Sequence, residues 1–281
     1  MIELAPRHKY GLSLPTPVMP AAGSFGYGEA YRDLIDYGGL GAIVTHPVSL
    51  RARKAAHGTR LATRGEHLLV HTGLPNAGLR QVLREHRVFW AHQSLPVILH
   101  LLATTPPEVE QACEILSRER CLVGVELGLD EGTPLEEALE LLDAARIGGT
   151  LPVIVRLPFG GVDALARPLA EAGADALTIS APPRALLPAE EEDDEKRSWS
   201  RGRFYGPALF PLLLHQLTRW VKDLPVPVVA CGGIASSVDA RACLDAGAIA
   251  VQVDAMIWRR PSLLEEVAAG VQNELDDRST P

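Results

Sequence analysis

Val228 to Trp258 reads VVACGGIASSVDARACLDAGAIAVQVDAMIW. An apolar run ends at Cys231-Gly232-Gly233-Ile234, a helix-like stretch opens at Ser236 and stops at Gly247, and a second apolar run ends at Val253-Asp254-Ala255. Strand, glycine turn, helix, strand is the repeating unit of a parallel α/β fold. Glycines let backbone N–H groups approach an anion, and a helix N-terminus favours negative charge. The stretch therefore reads as a phosphate cradle. Asp254 stands against that reading, because a carboxylate within about 4 Å of a phosphate costs on the order of a few kcal/mol at surface-like dielectric. It is expected to point away, to pair with an arginine such as Arg259 or Arg260, or to mark a cradle without a phosphate.

The same unit recurs upstream. Apolar runs at Val18–Ala22, Gly41–Thr45, Pro96–Leu102, Leu122–Leu127, Pro152–Leu157, Ala174–Ser180, Val226–Cys231 and Ala248–Val253 are nearly continuous, as strands buried on both faces should be. Helix patterns fall between them at Tyr27–Tyr37, Asn76–His92, Pro106–Arg118, Thr133–Arg146, Val162–Ala172, Gly206–Lys222 and Ser236–Ala246, and Pro261–Leu275 closes the set. Thr105 before Pro106 and the T-P-L-E at Thr133 are helix-start signals. Eight strand–helix pairs in strict alternation predict one (β/α)8 TIM barrel over residues 1–281. An open doubly wound sheet is the structural runner-up, and the count of eight argues against it. Residues 1–15 are expected to form an N-terminal hairpin closing the barrel bottom. Long loops follow strands two (Val48–Thr72) and six (181–203). The second carries AEEEDDEKRSWSRGR, read as a solvated charged loop.

Composition narrows the function classes. At 281 residues the chain is close to the roughly 250 of a typical barrel. A net charge of −8 argues against a nucleic-acid surface. No apolar run reaches the roughly 18 residues of a membrane span, and MIELAPRHKYGLSL lacks a signal pattern, so a cytoplasmic protein is expected. The four cysteines show no metal spacing and read as small buried hydrophobes, and no metal site is expected.

Barrel chemistry gathers at the C-terminal ends of the strands. Small residues at Ala21-Ala22-Gly23 would let a flat ring lie close to the backbone. His71-Thr72-Gly73-Leu74-Pro75-Asn76 is turn-rich, and by spacing alone reads as a loop ending in Asn76 as the cap of the next helix.

Taken together, the chain resembles the class 1 dihydroorotate dehydrogenases, FMN-dependent barrels, from about Tyr10 to Val267. The carriers are P-V-M-P-A-A-G-S-F-G at Pro17, L-G-A-I-V-T at Leu40, G-L-P-N-A-G at Gly73, A-G-A-D-A-L-T-I at Ala172, Y-G-P-A-L at Tyr205 and the C-G-G-I…V-Q-V of the opening stretch. The resemblance implies an oxidoreductase of pyrimidine biosynthesis that passes hydride through flavin N5. It implies FMN contacts from Ala22, Gly23, Thr45, His46, Arg156, Ser180, Gly206, Gly232 and Gly233. Substrate would lie under His71, Gly73, Leu74 and Asn76. A homodimer is implied by analogy.

The departures from the family pattern fall on the functional positions. His46 and Arg156 stand where the family has lysines, and His71 and Ser180 where it has asparagines. After strand four the family's asparagine and base-bearing loop give way to Gly128-Leu129-Asp130-Glu131-Gly132, and Asp254-Ala255 replaces G-T or G-S. Asp130 and Glu131 read as first-turn acids favoured by the helix dipole. His46 and Arg156 are the candidate catalytic residues. The leading expectation is a divergent FMN-binding oxidoreductase whose substrate is not dihydroorotate. The alternative is a non-catalytic or flavin-free barrel that binds an anionic small molecule or a partner protein.

Overall fold

The computed structural model describes residues 1–188 and 199–279. A two-stranded ribbon, β1 (Ile2–Glu3) and β2 (Ser13–Leu14), is followed by the first barrel strands β3 (Val18–Pro20) and β4 (Ile43–Val44). An insertion carries β5 (Leu61–Arg64) and β6 (His67–Val70). The barrel resumes with β7 (Val97–Leu102), β8 (Gly124–Gly128), β9 (Val153–Pro158) and β10 (Ala176–Ala181). A second insertion carries β11 (Arg184–Pro188) and β12 (Trp199–Tyr205), before β13 (Val228–Cys231) and β14 (Ala250–Val253).

Eight strands pair in parallel in the order β3-β14-β13-β10-β9-β8-β7-β4. The Gly41 N–H donates to Val18 O at 2.7 Å across the remaining seam, so the sheet is a nearly closed barrel. Around it lie α1 (Leu79–Ala91), α2 (Pro106–Leu116), α3 (Leu135–Gly148), α4 (Val162–Glu171), α5 (Phe210–Trp220), α6 (Ser237–Asp245) and α7 (Leu263–Ser279). The fold is a single-domain (β/α)8 barrel.

The N-terminal ribbon closes the barrel bottom as expected. Its Leu4, Ala5, Leu12 and Leu14 pack with Met19, Val44, Ile98, Ile154 and Val229 in one buried cluster. The fit is tight enough that a Cβ on Gly124 would meet Leu12 Cδ1 at 2.5 Å. A second buried cluster lies between the strands and the outer helices.

Three expectations are corrected. Tyr27–Tyr37 forms only two 3₁₀ turns, Glu29–Tyr31 and Tyr37–Gly39. Gly28 at φ 91 and the Gly38-Gly39 pair interrupt it, and Tyr31 stacks on Phe25 instead of facing outward on a helix. The described part of 181–203 is a β-hairpin, not a loop. Its strands join the first insertion in a four-stranded antiparallel sheet ordered β11-β12-β6-β5. The acidic run at 189–198 lies outside the described residues. Finally, Asn76 does not cap α1. Gly78 holds that place, and Asn76 Oδ1 accepts from the Gly78 and Ser49 N–H groups within the preceding turn.

Candidate active site

Inward positions recur every second residue along a strand. One step beyond the apolar floor of Ile98, Ile154, Ala176 and Ala250 they turn polar: His100 on β7, Arg156 on β9, Thr178 on β10 and Gln252 on β14, with Glu126 on β8 at their centre. Glu126 Oε2 lies 2.6 Å from His100 Nδ1, and its Oε1 accepts from Thr178 Oγ1 and Gln252 Nε2, both at 2.8 Å. Arg156 Nη1 stands 3.8 Å from Glu126 and donates to Gln252 Oε1, while Nη2 donates to Cys231 Sγ at 3.1 Å. Glu126 is fully buried, and His100 and Arg156 are each 4 % exposed. A buried charge of this kind persists only when paired and hydrogen-bonded.

The electrostatics follow from that pairing. Burial pushes the Glu126 carboxyl up, but the His100 bond, the Arg156 charge and the Gln252 amide outweigh it and hold it down at about 2. Burial draws His100 below its ordinary value, against the opposing pull of Glu126. At neutral pH the pair is a carboxylate and a neutral imidazole. The acceptor-only carboxylate requires the proton on Nδ1, leaving the Nε2 lone pair free.

The predicted site residues fall into two groups. Thr45, His46 and Arg156 converge on this polar layer. Thr45 Oγ1 accepts from the His100 N–H at 3.0 Å, and His46 Nε2 lies 3.1 Å from Pro75 O. Burial keeps His46 below its ordinary value, so the neutral ring donates to that carbonyl. Ser180 is buried and donates to Gln216 Oε1 at 3.4 Å. Ala22 and Gly23 follow β3, and Gly23 (φ 86) meets only ordinary contact, from Pro47 Cδ at 3.6 Å. His71, Gly73, Leu74 and Asn76 belong to the first insertion, whose Pro75 O meets His46 and whose Asn76 Oδ1 meets Ser49. His71 is exposed, a Cβ on Gly73 would meet Ala56 N at 2.7 Å, and Leu74 takes the left-handed conformation at φ 52.

At the phosphate end, Asp254 neither turns away nor pairs with the neighbouring arginines. Its Oδ2 accepts from the Gly233 N–H at 3.1 Å and its Oδ1 from the Met256 N–H at 3.2 Å. Arg259 donates to Gly65 O, and Arg260 binds Ala235 O and Glu266. A Cβ on Gly233 would meet Phe210 N at 2.4 Å, and one on Gly206 would meet His67 Cδ2 at 2.3 Å. Both glycines serve close packing of protein on protein. The cleft beside Gly232, lined by Ser180, Cys231, Leu209 and Leu213, has only about 170 Å³ of empty space. The flavin phosphate therefore does not fit this arrangement of residues.

Residues 7–122 match the family model for dihydroorotate dehydrogenase. Similarity extends much further along the chain. The dihydroorotate dehydrogenase B (NAD(+)) catalytic subunit of Pelobacter propionicus is 30 % identical over 279 residues, spanning 95 % of this chain and 92 % of that one. The corresponding subunit of Geotalea daltonii is 31 % identical over 281 residues (94 % and 91 %), and that of Cutibacterium acnes 29 % over 283 (96 % and 92 %).

The chain belongs to the dihydroorotate dehydrogenase family. It is thus a member of an oxidoreductase family, built on that family's barrel. Among the described residues, no helix is long and apolar enough to cross a membrane, and no group of three or more His, Cys, Asp or Glu is placed to hold a metal ion.

The turn after β8 ties two elements together. Asp130 receives Arg184 Nη2 at 2.8 and 2.7 Å and Arg203 Nη2 at 2.9 Å, so its carboxylate ties the β11–β12 hairpin to the end of β8. Glu131 Oε1 accepts from the Gly160 N–H at 3.1 Å. Asp130 is thus committed to two arginines, while Glu131 Oε2 accepts no hydrogen bond and stands 3.9 Å from Arg203 Nη1. At Gly128 the space belongs to the His100 imidazole: a Cβ there would lie 2.3 Å from Nε2. His100, Thr178 and Gln252 were not singled out by sequence reasoning. The available signal was a polar residue interrupting apolar strands at the same depth, as in V-I-L-H-L-L and A-V-Q-V.

Proposed function

We propose that the protein is a divergent oxidoreductase of the dihydroorotate dehydrogenase type, with a substrate other than dihydroorotate and a flavin held without a phosphate grip. The observation that carries this reading is the commitment of Asp130, in the turn after β8, to Arg184 and Arg203, which against the effect of burial hold its carboxyl below the ordinary value and make it a poor proton acceptor. Two further features support it. Ala22 and Gly23 keep the small surface after β3 that a flat ring requires. The Gly233 amide, which a phosphate would need, is already bonded to Asp254.

His100 is the candidate proton acceptor in this reading. Glu126 orients it as a carboxylate orients a base histidine, and burial keeps it neutral. Arg156 is fully charged beside it and suits a small carboxylate or a developing anion. His46 gives its one N–H to Pro75 O, so at the strand-two end it offers an acceptor nitrogen only.

The test is the visible spectrum of purified protein with added FMN, before and after desalting, followed by anaerobic addition of dihydroorotate. The expected result is a perturbed flavin spectrum that desalting removes and dihydroorotate does not bleach. Retained flavin bleached by dihydroorotate would overturn the proposal. An unperturbed spectrum would favour the second reading, a flavin-free barrel, for which the Asp254–Gly233 bond is the motivating observation.

A further inference from the structure

We propose that Asp254 is an internal anion that fills a still-competent phosphate seat, so that removing its carboxylate creates a site for phosphate-bearing ligands. The seat lies at the C-terminal ends of β13 and β14, the position where barrels bind phosphate. Gly232 and Gly233 adopt φ 128 and 72, conformations that L side chains rarely take, and the Gly233 N–H is aimed at an oxygen of Asp254. The helix that follows, α6, is capped by Ser236, whose Oγ accepts from the Asp239 N–H at 3.1 Å.

Asp254 reaches this turn from a different strand, 21 residues along the chain. It is 1 % exposed, and each of its oxygens accepts one backbone N–H. Burial pushes the Asp254 carboxyl up, and the Gly233 and Met256 N–H groups and the charge of Arg156 pull against that rise. A carboxylate is costly to bury unless its surroundings are arranged for an anion. Two oriented amides and a nearby guanidinium offset part of that cost, and a phosphate oxygen would use the same contacts. The side chain also caps the 3₁₀ turn Ala255–Trp258, which keeps it in place. The neighbouring Ala235 N–H is taken by Asp239, a first-turn residue of α6 itself, so that bond is local helix capping and separate from the seat.

This inference goes beyond the oxidoreductase reading and does not depend on it, because inorganic phosphate reports on the seat in the absence of flavin. The experiment compares wild type, Asp254→Gly and Asp254→Ser in the full chain. Isothermal titration measures inorganic phosphate, and fluorescence quenching compares FMN with riboflavin. Serine retains a capping oxygen without the charge, which guards against loss of the turn. Circular dichroism verifies that each variant is folded. In at least one folded variant, phosphate affinity is expected to rise about tenfold or more, the scale of one charge-assisted hydrogen bond, and FMN to gain over riboflavin by a similar factor. Unchanged phosphate affinity in both folded variants would overturn the proposal. So would wild-type protein that already binds phosphate as tightly as either variant.

Discussion

His100 and Gly128 share one space. The imidazole on β7 fills the volume beside the bare backbone of β8, and a side chain at 128 would lie 2.3 Å from Nε2 and 2.6 Å from Cε1. In that space the histidine reaches Glu126 at 2.6 Å. Gly128→Ala should push the ring off the carboxylate and cost about 1–3 kcal/mol, the usual range for overpacking a core. Thermal unfolding checks the loss. An unshifted midpoint would show that the ring has room to move.

Glu126 joins four strands, holding His100, Thr178 and Gln252 by hydrogen bonds and Arg156 by charge. Replacing it by glutamine should cost about 3–5 kcal/mol, because Arg156 is left buried without its nearest counter-charge. Urea unfolding at neutral pH measures this. A cost below about 1 kcal/mol would mean that the network is not holding the barrel interior together.

Stability should fall on the acid side in two windows. His100 is depressed in the folded state, so the unfolded chain takes up a proton that the folded chain refuses, and stability drops as pH falls below about 6.5. Glu126 is also depressed, from 4.5 to about 2, so its contribution is present above 4.5 and is lost as pH falls towards 2. His100→Gln should flatten the upper window and narrow the lower one, because the His100 bond is part of what holds Glu126 down. Denaturant midpoints followed from pH 7 down to about 2 report both. A variant with the wild-type slope above pH 5 would contradict the assignment to His100.

Asp130 is about 60 % exposed, so its two arginine pairs add little to global stability, within about 1 kcal/mol. Their effect is local. Asp130→Asn should leave the unfolding midpoint nearly unchanged while speeding amide exchange in 199–205, the strand that carries Arg203. Equal exchange in wild type and variant would show that strand pairing with β6 alone holds the hairpin.

The barrel was legible because its strands are buried on both faces. Continuous runs such as Val153–Val155 and Val228–Ala230 report that directly, as do the glycines that stop helices at Gly173 and Gly247. The covering sheet was not legible. Its strands alternate short exposed and half-buried residues, as in Leu61–Arg64 and Arg184–Pro188, and pair across more than a hundred residues of chain. The stretch Tyr27–Tyr37 has helix-like spacing but is organised by aromatic contacts to Phe25. In the site, Arg156 and the glycine turn were readable from their places at strand ends. His100 and Gln252 were hidden inside apolar strands, where one polar residue reads as noise until the partner strand is known. The role of Asp254 depended on where its carboxylate points, which only the Gly233 N–H bond reveals.

The central claim is that the phosphate seat is filled from within, so that the phosphate of FMN adds nothing to its binding. The most direct test is the ratio of FMN to riboflavin affinity for the wild-type protein, measured by fluorescence quenching in one buffer. The predicted ratio is about one or lower, since a buried carboxylate stands where the phosphate would go. FMN binding about tenfold or more tighter than riboflavin would contradict it, and would mean that Asp254 gives up the Gly233 amide to the cofactor.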